Sequence, residues 1–246
     1  MLFALTGLIG CPVEGSDGRV GGVKDFLFDD KSWRVRWMVV DTGHWLPGRQ
    51  ILIHPSAIAP LGEALHEKRA LPMISSGETL TLSVDLSRRQ IEESPDASEE
   101  EPCTAQMETR LYQYYGWDPD WGATHIRASI TDTVDGDPYL RSVATVRGYR
   151  VHATDGDLGH VEHFLADDAD WDIRYLVIAT RNWLPGKHVQ LAPYAVTKID
   201  TADRSVKLNV TRDQVKSSPA WDPLTMADEV AEQAYHRHFG WPGYGW

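Results

Sequence analysis

The sequence predicts a mainly β protein built as two tandem small β-barrels, each followed by a short α-helical tail. Three observations carry that prediction: an internal repeat that covers most of the chain, strand-length segments punctuated by tight-turn dipeptides, and a helical periodicity that closes each copy on Gly-Trp.

The repeat is read by sliding Gly10–Ile58 forward 138 positions onto Gly148–Val196, where 20 of 49 positions are identical without a gap. Asp17-Gly18 falls on Asp155-Gly156, Phe26-Leu27 on Phe164-Leu165, and Asp29-Asp30 on Asp167-Asp168. Trp33 meets Trp171, Arg36 meets Arg174, and Trp45-Leu46-Pro47-Gly48 recurs whole as Trp183-Leu184-Pro185-Gly186. Further on the offset becomes 124, which aligns Gln90-Ile91 with Gln214-Val215 and Gly116-Trp117 with Gly240-Trp241. The first copy therefore carries an insertion of 14 residues, placed between Ala59 and Glu78. The organisation expected is a first repeat with its tail over 1–117, a polar linker over 118–139, and a second repeat with its tail over 140–246.

Within each copy the elements follow in order. Met1 to Gly10 reads as the lead-in to a first strand, and Asp17-Gly18 and Asp155-Gly156 as hairpin turns. Val23 to Phe28 and Val161 to Leu165 read as one strand, Val35–Asp41 and Ile173–Thr180 as a central strand apolar on both faces. Pro47-Gly48 and Pro185-Gly186 mark the next turn, after which Ile51–Ile53 and the alternating Thr79–Leu86 resume strand. Six short strands in about 80 residues suggest a closed barrel, which leaves no exposed edge. In the tails, Met107, Leu111 and Tyr115 share one helical face, and Met226, Val230 and Ala234 share another behind a capping box from Thr225 to Asp228. Gly116 and Gly240 suit the left-handed position after a helix, and the tryptophan that follows can fold back on the last turn.

Composition bounds the function. The 246 residues are 42% hydrophobic and 24% charged, with a net charge of −12, which excludes wholesale disorder and argues against a nucleic-acid surface. No stretch approaches the roughly 20 apolar residues that span a bilayer, and only Cys11 and Cys103 are present, so a reduced, cytoplasmic protein is expected.

The ordered run Asp-Gly-x-x-Gly-x-Val, Phe-Leu-x-Asp-Asp, Trp-x-Val/Ile-Arg-Trp/Tyr-x-Val and Trp-Leu-Pro-Gly-Arg/Lys resembles the PRC-barrel domain, in both copies. That small barrel is shared by the cytoplasmic part of the photosynthetic reaction-centre H subunit and by a 16S rRNA maturation factor. The transmembrane helix of the former and the N-terminal domain of the latter have no counterpart here. The resemblance implies a fold and a tendency to act as a docking module, and it brings no catalytic residues with it.

The residues themselves point the same way. There is no Gly-x-Ser-x-Gly elbow, phosphate-cradling glycine loop or calcium-loop spacing, so no enzyme and no cofactor are expected. His152, His160 and His163 could meet across a hairpin as a metal site only in the second copy, since Glu14, Gly22 and Asp25 stand in their places in the first. Arg36 and Arg174 should each find a carboxylate, with Asp29 or Asp30 and Asp167 or Asp168 nearest in sequence. The candidate protein-interaction residues are Trp45, Leu46, Arg49, Trp183, Leu184 and Lys187 in the two loops, with Trp117 and Trp241 in the tails. The alternative for the loop tryptophans is that they cap their own barrel. The function expected is a cytoplasmic protein-interaction or assembly module with a protein partner, pairing as a homodimer or between its own two barrels. Its rivals are a small-ligand or metal sensor with a pocket between the barrels, and a ribosome-associated factor, which would need a segregated basic face.

Overall fold

The computed structural model describes residues 1–47, 49–61, 80–95, 105–118, 140–180, 188–219 and 229–243. The first half runs β1 (Leu2–Ala4), α1 (Leu5–Leu8), β2 (Pro12–Gly15), β3 (Gly18–Asp29), β4 (Val35–Asp41), β5 (Gln50–Ile53), a 3-10 turn (Pro55–Ala57), β6 (Leu82–Ser83), α2 (Arg88–Glu92) and α3 (Ala105–Tyr115). The second runs β7 (Leu140–Ser142), α4 (Val143–Val146), β8 (Arg150–Ala153), β9 (Gly156–Asp167), β10 (Ile173–Ala179), β11 (His188–Leu191), a 3-10 turn (Pro193–Ala195), β12 (Val196–Asp200), β13 (Ser205–Leu208), α5 (Arg212–Lys216) and α6 (Glu229–Phe239).

Two sheets result, with orders β5-β4-β3-β2-β6 and β11-β10-β9-β8-β13-β12. The turn aspartates do more than reverse the chain. Asp17 accepts from the Arg88 amide and Asp155 from the Arg212 amide, so each hairpin tip satisfies an orphan donor at a short helix. Ser87 with Gln90 and Thr211 with Gln214 complete a capping box at the same two helix starts.

The expected closed barrel does not form among the described residues. No ladder joins β11 to β12 or β5 to β6; a single bridge, Ile58 to Val84, approaches closure in the first half. The physical reason lies at Pro55 and Pro193, each heading a 3-10 turn. Proline donates no ladder hydrogen bond and fixes a backbone angle that turns the chain out of the sheet.

The long strands carry the unexpected feature. β1 pairs not with its own half but with β9, through Leu2 with Asp167 and Ala4 with Leu165. β7 reciprocally pairs with β3, through Leu140 with Asp29 and Ser142 with Leu27. β3 and β9 each run for 12 residues, beyond the segments their apolar runs predict: their first residues, from Gly18 and from Gly156, pair with β2 and β8 of their own halves, and their far ends template a strand from the other half. One hydrophobic core runs through both halves, with Phe28 against Phe164 at 5.6 Å and Phe26 against Trp171 at 5.9 Å.

The central strands are buried on both faces, as their composition predicts. Met38 and Val40 of β4 join the shared core, while Trp37 and Val39 form a second cluster with Leu111 and Tyr112 of α3. In β10, Leu176 and Ile178 face the shared core, while Tyr175 and Val177 meet Tyr235 of α6. The face expected for α3 is therefore correct. For α6 it is not: Val230 is 73% exposed and Ala234 is exposed, and the helix packs through Tyr235 and His236. The 124-residue offset places Tyr235 and His236 under Leu111 and Tyr112, so the face follows the repeat and not the apolar residues. Thr225 to Asp228 lie outside the described residues, as do Cys103, most of the linker and most of the insertion.

Candidate functional site

The Trp-Leu-Pro-Gly loop of the first half works as a clamp. The Trp45 indole donates to the Val20 carbonyl at 2.6 Å, and the Arg88 guanidinium lies 4.4 Å over its ring. Thr42 donates to the Leu46 carbonyl at 2.9 Å. Arg49 donates to the carbonyls of Glu92 and Ser94, at 2.8 and 2.7 Å, neutralising the negative end of α2. Trp45 and Leu46 are partly buried against the core. Trp183, Leu184 and Lys187 lie outside the described residues.

The tail tryptophans fold back. Gly116 and Gly240 adopt φ of 69° and 72°, a conformation that costs other residues a Cβ clash. That reversal stacks Trp117 on Tyr115 at 4.1 Å and Trp241 on Phe239 at 4.2 Å. The sequence thus brings Trp117 to the foot of α3 and Trp241 to the foot of α6, each half-buried.

Beneath each helix sits a buried polar centre. Under α3, Glu108 is 4% exposed and accepts from the Trp37 indole at 2.5 Å. The Arg36 guanidinium lies 3.7 Å from the same carboxylate and donates to the Tyr112 hydroxyl at 2.8 Å. Burial pushes the Glu108 carboxyl up, against the pull of Arg36 and of the Trp37 hydrogen bond. Close by, His54 stands within ring contact of Trp37, Tyr112 and Trp117 at 5.7, 5.6 and 5.8 Å. Its Nδ1 accepts from the Ser56 amide at 3.3 Å, which assigns the neutral tautomer protonated at Nε2. Burial, with Arg36 and Arg34 adding repulsion, lowers the His54 pKa to about 3.

Under α6 the same geometry recurs with other donors. The Tyr175 hydroxyl donates to Glu232 and lies 2.9 Å from His236 Nε2, while His236 Nδ1 lies 2.7 Å from the Pro242 carbonyl. Glu108 and Glu232 are the residues that sequence reasoning missed. The signal was present: both helices carry a glutamate at the position preceding the buried pair by three, aligned by the 124-residue offset.

That glutamate corrects the expectation for Arg36, whose carboxylate comes from α3 and not from Asp29 or Asp30. Asp29 accepts from the amides of Lys31 and Ser32 in its own turn, and Asp30 is bound by Arg141 at 2.6 Å. Sequence proximity misled because the two acids are taken up by their own turn and by Arg141, while α3 covers the strand and brings Glu108 to Arg36. Arg174 does lie 3.7 Å from Asp167.

The histidines of the second half go separate ways. His152 Nδ1 lies 2.5 Å from Asp157, and His163 Nδ1 lies 2.7 Å from Thr6, so the three-histidine site does not assemble. No group of three metal-ligating side chains occurs among the described residues. A surface cavity of about 520 Å³ opens in the first half, lined by Arg19, Lys24, His44 and Asp41 over a floor of glycines.

Two open sheets sharing one core and flanked by helices define a small β-rich module, and no described helix is long and apolar enough to cross a membrane. The model of the PRC-barrel domain family matches residues 1–76, so this part of the chain carries a PRC-barrel domain, as its motifs led us to expect. No curated protein matches the chain.

Proposed function

We propose that the chain is a non-catalytic tandem PRC-barrel protein, its second half a further unit of the same kind and each unit closed by its helical tail. It acts as a protein-interaction and assembly module in the cytoplasm. The observation that supports this most is the reciprocal ladder of β1 on β9 and β7 on β3, which joins the halves into one body. A body of that kind presents two related faces at a fixed separation, one beside α3 and one beside α6. Each face exposes a tyrosine, Tyr114 at 38% and Tyr194 at 41%. Tyrosine is among the side chains that dominate interface hot spots.

A photoreactive phenylalanine placed at Tyr114, at Tyr194 and, as a control, at the exposed Asp203 tests the reading in native cells. One partner captured from both tyrosine sites and not from the control is the expected outcome. Equal labelling from all three positions would count against it. A second reading, a sensor of a small anion, is favoured by the cavity beside Arg19, Lys24 and His44. It predicts a rise in melting temperature with phosphate or a dicarboxylate that is lost in Arg19→Ala.

A further inference from the structure

The seam between the halves has an axis, and its residues are not symmetric about it. Adding 138 to every number of the β3 to β7 ladder's first-half strand, and subtracting it from the other, reproduces the β1 to β9 ladder. Between the ladders the Val35 amide donates to the Trp171 carbonyl at 3.0 Å, and the Ile173 amide to the Trp33 carbonyl at 2.7 Å. These bonds are again exchanged by the same shift. At the midpoint lies the bridge of Arg34 with Asp172, two positions that the shift maps onto each other. A residue at such a point would meet its own copy if two like halves paired through this seam.

The two residues at that point carry opposite charges. Arg34 Nε donates to Asp172 Oδ1 at 2.7 Å, with side chains only 16% and 25% exposed. Two first halves would set Arg34 against Arg34, and two second halves Asp172 against Asp172, each half-buried and poorly screened.

We propose that Arg34 and Asp172 form a charge key at the axis of the seam, which makes each half accept the unlike half and reject its own kind. The partner selected is the complementary half of this chain, recognised by opposite charge at a point where a symmetric pair cannot provide it. The backbone ladder would serve like and unlike halves equally; the key supplies the discrimination.

The test starts from the full chain with a protease site introduced between 119 and 139, cut after folding. The halves are exchanged in dilute denaturant, returned to native buffer and weighed by native mass spectrometry. Unlike pairs should exceed like pairs by at least about tenfold over the statistical share, since like charges in contact cost more than about one tenfold step. In R34Q/D172N that excess should collapse toward the statistical share. A parent that pairs statistically overturns the proposal, and so does a neutral variant that keeps the full excess. Should the cut halves not pair at all, the uncut chain decides. R34D and D172R should each lower the melting temperature by roughly 5 °C, and R34D/D172R should restore it to within about 2 °C. Failure of the exchanged pair to restore stability overturns the proposal, because a merely structural role for either residue would make the losses add.

Discussion

Acid should loosen the first half through one residue, His54. Its folded pKa is about 3 against 6.5 in the unfolded chain, so between those values the unfolded state binds the proton and the folded state does not. Stability from this group is complete above pH 6.5, falls as pH drops through the window, and is gone near pH 3. Each tenfold change in proton affinity is about 1.4 kcal/mol, so the whole window is worth roughly 5 kcal/mol and the part above pH 4 about 3 kcal/mol. Glu108 and Asp25 act in the opposite direction, since burial raises both carboxyls and the folded state takes up their protons first. The variant must therefore isolate the imidazole. His54→Asn keeps an oxygen able to accept from the Ser56 amide at the head of the 3-10 turn but does not titrate. Urea unfolding followed by tryptophan fluorescence at pH 7.5 and 4.0 gives the four stabilities needed. Wild type should lose about 3 kcal/mol more than His54→Asn between the two values. Equal losses, within about 0.5 kcal/mol, would refute the reasoning.

Three further outcomes follow from the same contacts. Glu108→Ala should cost about 3 kcal/mol in thermal unfolding, because it strands a buried indole N–H and a half-buried arginine, while Glu108→Gln, which keeps an acceptor, should cost about 1 kcal/mol. Tyr175→Phe removes the hydroxyl between Glu232 and His236 and should lower stability by about 1–2 kcal/mol, read by calorimetry, leaving far-ultraviolet dichroism unchanged. Gly159→Ala should abolish or severely reduce soluble expression, because its Cβ would sit 1.9 Å from the Ala179 carbonyl oxygen at a φ of 147°. Gly43→Ala, with open space around it, should cost only about 1 kcal/mol.

What the sequence makes legible is local. Asp17-Gly18, Gly116-Trp117 and the two-sided strand Val35–Asp41 each encode their conformation within a few residues, and each is found where it was expected. The seam is not local. Nothing in Leu2–Ala4 says that its ladder partner stands more than 160 residues away, because a three-residue apolar strand fits either sheet edge and long-range register decides. The buried polar centres fall between these limits. A lone glutamate on an amphipathic helix reads as solvent-facing by type, and only its recurrence as Glu232 marks it as structural. The same lesson corrects α6, where exposed Val230 obeys composition less than it obeys the repeat.

A repeat whose halves were only copies would form this seam as a symmetric dimer does, with every contact compatible with its own image. Of the residues shared by both halves, the turn aspartates that seat α2 and α5 and the glutamates under α3 and α6 serve each half internally, whereas Trp33 and Trp171, held at φ of 60° and 58°, serve the seam. A left-handed tryptophan costs about 1–3 kcal/mol, yet it recurs because its carbonyl must accept the strand from the other half. Among the residues that differ, some lie at the seam: Arg34 with Asp172, and Asp25 holding Ser142 where His163 holds Thr6. Self-compatibility is a constraint only on surfaces that can meet themselves. Once both halves lie in one chain that constraint is lifted, and a charge difference at the seam such as Arg34 against Asp172 then records which half pairs with which.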